Sequence, residues 1–247
     1  MIKQIQSRKN PEVARLDGIC REPSAEAFVL QGDKFISDAS GIYGEAFLSL
    51  ITTDPDKYPD VISRLGGSCE IFHVSEPVME KLSRSVSRSS LLAVMKKPRV
   101  SQPDRLLVLD GVQDPGNVGS IIRTAHCFGF GVVCGENCAN PFSAKAVRST
   151  AGAVCGCFVE SVTLAGYIDR LRSDGYTVYG SALSEKALPL PDARISGKTA
   201  IIIGSEGKGI RPEILALTDK PLYIPIKNVE SLNAAAAAAI FAYTFSF

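Results

Sequence analysis

The chain is poor in the residues that build metal centres and covalent cross-links. It holds two histidines, His73 and His126, and none of its seven cysteines stands in C-x-x-C spacing. Cys134 with Cys138, or Cys155 with Cys157, would make a poor zinc site with so few imidazoles available, and no metal is expected. Scattered cysteines in odd number, set among Val, Gly and Phe, argue for reduced thiols in a core and for a cytoplasmic protein. No stretch reaches the ~18 apolar residues that span a bilayer. The alanine-rich LNAAAAAAIFAYTFSF is instead expected to form a buried helix, with no membrane partner. The opening MIKQIQSRKNPEV lacks the apolar run of a secretory signal. A net charge of +1 gives no global case for nucleic acid, so any such case must come from local clusters. Neither GxxxxGK[ST] nor GxGxxG occurs, which argues against a P-loop or dinucleotide-binding protein.

What is present is alternation. Short apolar runs at Phe28–Leu30, Ala46–Ile51, Glu70–Val74 and Leu91–Met95 are separated by helical stretches near Lys34–Ser40, Lys57–Leu65 and Pro77–Ser85. That pattern predicts a small α/β domain over residues 1–97. The proline-containing stretch that follows, residues 98–103, is expected to be a linker. Residues 104–247 alternate again. Strands are expected at Leu106–Leu109, Gly131–Cys134, Cys157–Val159, Tyr176–Gly180, Ala200–Ile203 and Leu222–Ile226. Helices are expected at Val118–Phe128, Ala144–Thr150, Leu164–Ser173 and Leu232–Phe245. Near-continuous apolar strands such as LLVL and AIII suggest a parallel sheet covered on both faces. Ligands of such sheets sit beyond the carboxyl ends of the strands.

Positive charge clusters twice in the first half. Residues 81–103 hold Lys81, Arg84, Arg88, Lys96, Lys97 and Arg99 without an acid, and the first ten residues add Lys3, Arg8 and Lys9. The serines interleaved with these cations suit phosphate oxygens, so Arg8, Lys9, Arg84, Arg88, Lys96 and Lys97 are candidate contacts for a phosphate-rich polymer. A solvated surface would look the same from charge alone.

Three stretches of the second half could carry chemistry. In the first, residues 109–129, a strand ends at Asp110 and Asp114-Pro115-Gly116 turns the chain. Asn117 is a natural N-cap, and Val118, Ile121, Ile122, Ala125 and Phe128 form a buried helical stripe. Arg123 lies off that stripe, placed to grip a phosphate. In the second, Gly204-Ser205-Glu206-Gly207-Lys208-Gly209 follows an apolar strand and sets one carboxylate among glycines that allow close backbone approach. In the third, Ile224-Pro225-Ile226 leads through a polar loop to Glu230, Ser231, Leu232 and Asn233 at the mouth of the alanine helix.

Together these stretches, DPGNVGSIIRTAHCFG at 114–129, IIIGSEGKGI at 201–210 and IPIKNVESLN at 224–233, resemble the SpoU (TrmH-like) branch of the SPOUT class of RNA methyltransferases. The first half resembles, more loosely, that family's accessory RNA-binding domain. The resemblance implies a parallel α/β domain with a deep trefoil knot and a homodimer with its site at the subunit interface. It implies methyl transfer from S-adenosylmethionine to a ribose 2′-hydroxyl of RNA, either 23S-type rRNA or tRNA; a knotted RNA-binding protein without activity is the rival. By resemblance, Arg123, Asn117, Glu206, Ser231 and Asn233 carry catalysis. Ser181, Gly204, Glu206, Gly207, Ile224, Ile226 and Leu232 meet the cofactor, and Arg123 also meets RNA. The third stretch departs from the family pattern: its loop is a residue shorter and lacks a glycine, and Ile226 replaces a methionine.

Overall fold

A computed structural model of the chain describes residues 2–24, 26–83, 89–184 and 187–246. They form two compact units, Met1–Pro98 with Phe142–Cys155, and Arg99–Pro141 with Gly156–Phe247. Both are mixed α/β.

The first unit alternates β1 (Ile2–Ile5), α1 (Pro11–Arg21), β2 (Ala27–Gln31), α2 (Asp33–Ile42), β3 (Phe47–Thr52), α3 (Pro59–Leu65), β4 (Glu70–Val74), α4 (Glu76–Ser83) and β5 (Leu91–Lys96). The strands order β1-β4-β3-β5-β2, with β1, β4 and β3 parallel and β5 antiparallel to both its neighbours. Two elements were not expected from the sequence. Strand β1 buries only Ile5, so its IKQI carries no alternating signal; pairing with β4 makes it a strand. Helix α1 does have its start written locally. Asn10 caps it by accepting from Glu12 N at 2.9 Å, and Pro11 opens it with its missing donor harmless there. Val13, Leu16 and Cys20 are its buried stripe.

The second unit contains β6 (Arg105–Asp110), α5 (Pro115–Cys127) and β7 (Gly131–Cys134). Next in the chain comes α6 (Ala144–Ser149), inside the segment that belongs to the first unit. There Phe142 packs on Phe28 with ring centroids 5.4 Å apart, and Arg148 donates to Gln31 Oε1 at 3.0 Å. The second unit resumes with β8 (Val159–Ser161), α7 (Leu164–Ser173), β9 (Thr177–Ser181), β10 (Leu188–Pro189), β11 (Thr199–Gly204), α8 (Pro212–Leu215), β12 (Lys220–Tyr223) and α9 (Ala234–Thr244). Its sheet runs β10-β12-β9-β11-β6-β7-β8, every pair parallel. Leu106–Leu109 and Ala200–Ile202 are fully buried, as strands covered on both faces must be.

Two local expectations shift. The last strand stops at Tyr223 rather than Ile226: Pro225 has no N–H to give a ladder. Helix α5 starts at Pro115, so its cap is Asp114, whose Oδ1 accepts from Gly116 N at 3.1 Å, and not Asn117. That leaves the amide of Asn117, in the first turn, free for other partners.

Candidate functional site

The carboxyl ends of β9, β11 and β12 open on a cavity of about 250 Å³. Ser181, Gly204, Glu206, Ile224, Ile226, Ser231 and Leu232 all line it, joined by Leu183, Tyr223, Glu230 and, from α9, Ala234, Ala237 and Phe241. Gly207 is the one candidate cofactor residue that does not. The wall at Gly204 is backbone against backbone. A Cβ built there would lie 2.2 Å from Gly209 C and 2.3 Å from Ile210 N, so only glycine fits. The loop closes on itself where Ser205 and Gly209 exchange N–H···O bonds of 3.1 and 2.9 Å, with Gly209 at φ 66°.

At the rim, the three motifs meet through three side chains. Asn117 Nδ2 donates to Glu206 Oε1 at 2.7 Å, and Asn233 Nδ2 donates to the same oxygen and to Asn117 Oδ1, the latter at 3.1 Å. The orientation of Asn233 is fixed from its other side. Its Oδ1 caps α9 by accepting from Ala235 N at 2.9 Å and Ala236 N at 3.3 Å, so its NH₂ must face the carboxylate. Sequence positions 117, 206 and 233 are thus one constellation, and it ties α5, the glycine loop and α9 together.

The loop after β12 lacks glycine but not the conformation glycine would supply. Asn228 sits at φ 67°, in the left-handed region that Asn tolerates better than other residues with a Cβ.

Arg123 is elsewhere. It is exposed, six residues and about 240° around α5 from Asn117, and does not line the cavity. Among the described residues it makes no hydrogen bond or ion pair. The basic candidates of the first unit divide. Arg8 is held on α4, donating to Pro77 O at 2.7 Å and Glu80 Oε2 at 3.3 Å. Lys97 lies over the Phe142 ring, 4.5 Å from its centroid, and burial lowers its pKa. Lys9 and Lys96 are exposed. Arg84 and Arg88 lie outside the described residues.

One cluster escaped sequence reasoning. Arg211, which opens α8, donates from its backbone N and its Nε to the two oxygens of Asp110, both at 2.7 Å, and from Nη2 to Glu136 Oε2 at 2.8 Å. The Asp110 side chain is wholly buried. An acid closing an otherwise apolar strand was the available signal. Among the described residues no disulfide is present. Burial pushes the thiol of Cys134 far up, and those of Cys155 and Cys157 up to about 12, which fits inert core residues. Among the described residues no three His, Cys, Asp or Glu side chains are grouped to hold a metal, and no helix is long and apolar enough to cross a membrane.

A profile of the SpoU rRNA Methylase family matches residues 104–243. Over 252 residues the chain is 32% identical to the 23S rRNA (guanosine(2553)-2′-O)-methyltransferase RlmP of Bacillus subtilis, with 98% of each chain covered. A solved TrmH-family protein from Porphyromonas gingivalis superimposes with a TM-score of 0.82 at 28% identity, over 96% of this chain and 97% of its own. An AdoMet-bound rRNA methyltransferase from Sinorhizobium meliloti shares the fold, with a TM-score of 0.83 at 24% identity over 98% and 97%.

Proposed function

The chain belongs to the SpoU rRNA Methylase family, and on that premise we propose that it moves a methyl group from S-adenosylmethionine to a ribose 2′-hydroxyl of 23S-type ribosomal RNA. The observation that carries this reading is the Asn117–Glu206–Asn233 triangle at the rim of the Gly204 cavity. The cavity lies just below the ~300–1,000 Å³ usual for small-molecule sites, which suits a compact, bent ligand. Its backbone wall at Gly204 lets such a ligand meet main-chain groups directly, and Glu206 and Glu230 give it a negative edge for a cation.

When bound, the cofactor supplies an electrophilic methyl on a sulfonium, already activated without a metal. The chain's own residues must hold, align and discharge. Gly204, Ile224 and Leu232 contact the ligand, with Ser181 and Ile226 completing the wall. Asn117 and Asn233 fix the Glu206 carboxylate, and Ser231 shapes the floor. Arg123 does not line the cavity of its own chain and lies on another face of α5 from Asn117. The reading therefore includes a homodimer in which Arg123 of the partner subunit completes the site. The exposed Ile240 and Tyr243 on α9, 37% and 61% accessible, support a partner on that side. A guanidinium stays protonated at neutral pH, so Arg123 is read as a clamp on the target phosphate that stabilises the forming alkoxide.

The knot belongs to the same proposal. The chain leaves β12 beyond β9, yet comes back to set Asn233 against Asn117 and Glu206 and α9 against α5. A tail threaded past the 204–210 loop accounts for that path and for the run of small alanines. The first unit, with Lys9 and Lys96 exposed, is read as the RNA-binding part. The buried thiols of Cys134, Cys155 and Cys157 support a cytoplasmic setting.

The test is transfer of labelled methyl from the cofactor to 23S rRNA and to tRNA, with wild type and Arg123→Ala. Wild type is expected to label the rRNA at a ribose. Arg123→Ala is expected to abolish labelling while keeping cofactor affinity within a few-fold. Labelling of tRNA alone would move the substrate, equal loss of binding and transfer would remove Arg123 from its role, and no labelling would leave an RNA-binding protein.

A further inference from the structure

We propose that Arg211 is a positioning residue for the methyl-donor site, holding the 204–210 loop in the shape the cavity requires without touching the donor. The inference rests on the reading of the cavity given above.

The loop departs from β11 at Gly204 and ends at Arg211, and both ends meet one residue. Gly204 is the register partner of Asp110 across the β11–β6 ladder. Asp110 then takes the backbone N and the Nε of Arg211, each at 2.7 Å, with its carboxylate fully buried. A buried acid with two charge-assisted bonds is a rigid anchor, because losing either leaves charge unmet in a site closed to water. The guanidinium continues outward. Nη2 reaches Glu136 Oε2 at 2.8 Å, and that oxygen also accepts from Leu164 N at 3.3 Å. The fork thereby fastens the loop to the segment after β7 and to the start of α7. Lysine has one compact ammonium in place of the fork and could not present Nε and Nη2 donors in the fixed directions that meet the two carboxylates.

Arg211 does not line the cavity, but Gly204, Ser205, Glu206 and Gly209 do. The loop has no slack to absorb a shift. Its two strands are pinned by the Ser205–Gly209 pair, and the backbone at 204 presses on that at 209 and 210. Movement at Arg211 therefore reaches Gly209 within two residues and Glu206 across the pair.

An ion pair of this kind could also serve the fold alone, and the molecule offers a control. Arg172 Nη2 pairs with Asp219 Oδ1 at 2.9 Å, and Asp219 likewise accepts a backbone N–H, from Val178 at 2.8 Å. That pair stands at the amino end of β9, the end away from the cavity.

The experiment uses the full chain as wild type, Arg211→Met, Arg211→Lys and Arg172→Met. Four quantities are read: the S-adenosylmethionine Kd by calorimetry, KM and kcat by labelled methyl transfer, and the melting temperature. Arg211→Met should raise Kd and KM for the donor roughly tenfold. At saturating donor its kcat should stay within about threefold, since bound ligand re-forms the loop. Arg211→Lys should fall between, and it carries the comparison if Arg211→Met does not fold. Arg172→Met should lower the melting temperature and leave Kd alone. Arg211 variants that melt lower yet bind donor as wild type does would overturn the assignment and leave a purely structural pair. A wild-type chain that binds no donor would overturn the donor-site reading and this assignment with it.

Discussion

Adding one methyl group at Gly204 should cost the protein its ligand while a second methyl three residues away should cost nothing. In Gly204→Ala the new Cβ would stand 2.2 Å from Gly209 C, 2.3 Å from Ile210 N and 2.5 Å from Gly209 O. All three are backbone atoms, so no side chain can rotate aside. The loop must open by about 1 Å to restore contact distance, at the ~1–3 kcal/mol typical of overpacking. Opening breaks the Ser205–Gly209 pair and draws Glu206 from Asn117 and Asn233. If that cost falls wholly on the ligand-competent loop, affinity drops by about 5- to 150-fold. At Gly207, by contrast, a Cβ would meet nothing within 4 Å. Calorimetric titration of S-adenosylmethionine into wild type, Gly204→Ala and Gly207→Ala, each checked by thermal melting, decides the matter. Gly207→Ala should bind within about twofold of wild type. A Gly204→Ala chain that binds and melts like wild type would refute the close approach, and with it the cavity wall described above.

Two further outcomes are expected. At Asn228, φ 67° should make glycine acceptable and valine costly by about 1–2 kcal/mol, read as weaker donor binding in Asn228→Val but not in Asn228→Gly; the reverse order would dismiss the backbone account. Glu136 should contribute to acid sensitivity. Burial raises its pKa, but backbone N–H groups and Arg211 outweigh burial and hold it below the ordinary carboxylate value of 4.5. A depressed carboxylate stabilises the fold above its unfolded pKa, and that contribution disappears as pH falls through the folded one. Urea midpoints followed from pH 7 to pH 3 should therefore fall less steeply in Glu136→Gln than in wild type; parallel curves would contradict this.

Much of the second unit was legible because its strands are buried on both faces. Runs such as LLVL and AIII need no partner to be recognised, and Gly131–Cys134 and Leu164–Ser173 form with the expected ends. The triangle at the rim was legible as residue types, but its geometry was not. Asn117 looked like a cap until Asp114 took that position, and only then did its amide turn to Glu206. Strand β1 and the Arg211 cluster were hidden for one reason. Ile2 pairs with Ile71, and Arg211 meets partners 101 and 75 residues away in sequence. Such contacts exist only once distant segments have met, and no local period announces them. Arg148 and Phe142 belong to the same class, since the segment around them packs with strands from the far end of the chain.

That segment decides how the gene can be cut. Phe142–Cys155 is joined at both ends to the second unit but finds its cover in the first, where Phe142 meets Phe28 and Lys97, and Cys155 Sγ lies 4.0 Å from Met95 Sδ. A product severed at Pro98 would offer Phe142 to water, forfeiting roughly 1.5–3 kcal/mol of burial. The complementary product would be left with a bare patch where that segment belongs. The two halves cannot be handled as interchangeable cassettes: grafting either onto a foreign partner requires carrying this fourteen-residue insert, or a substitute for it, along with the first.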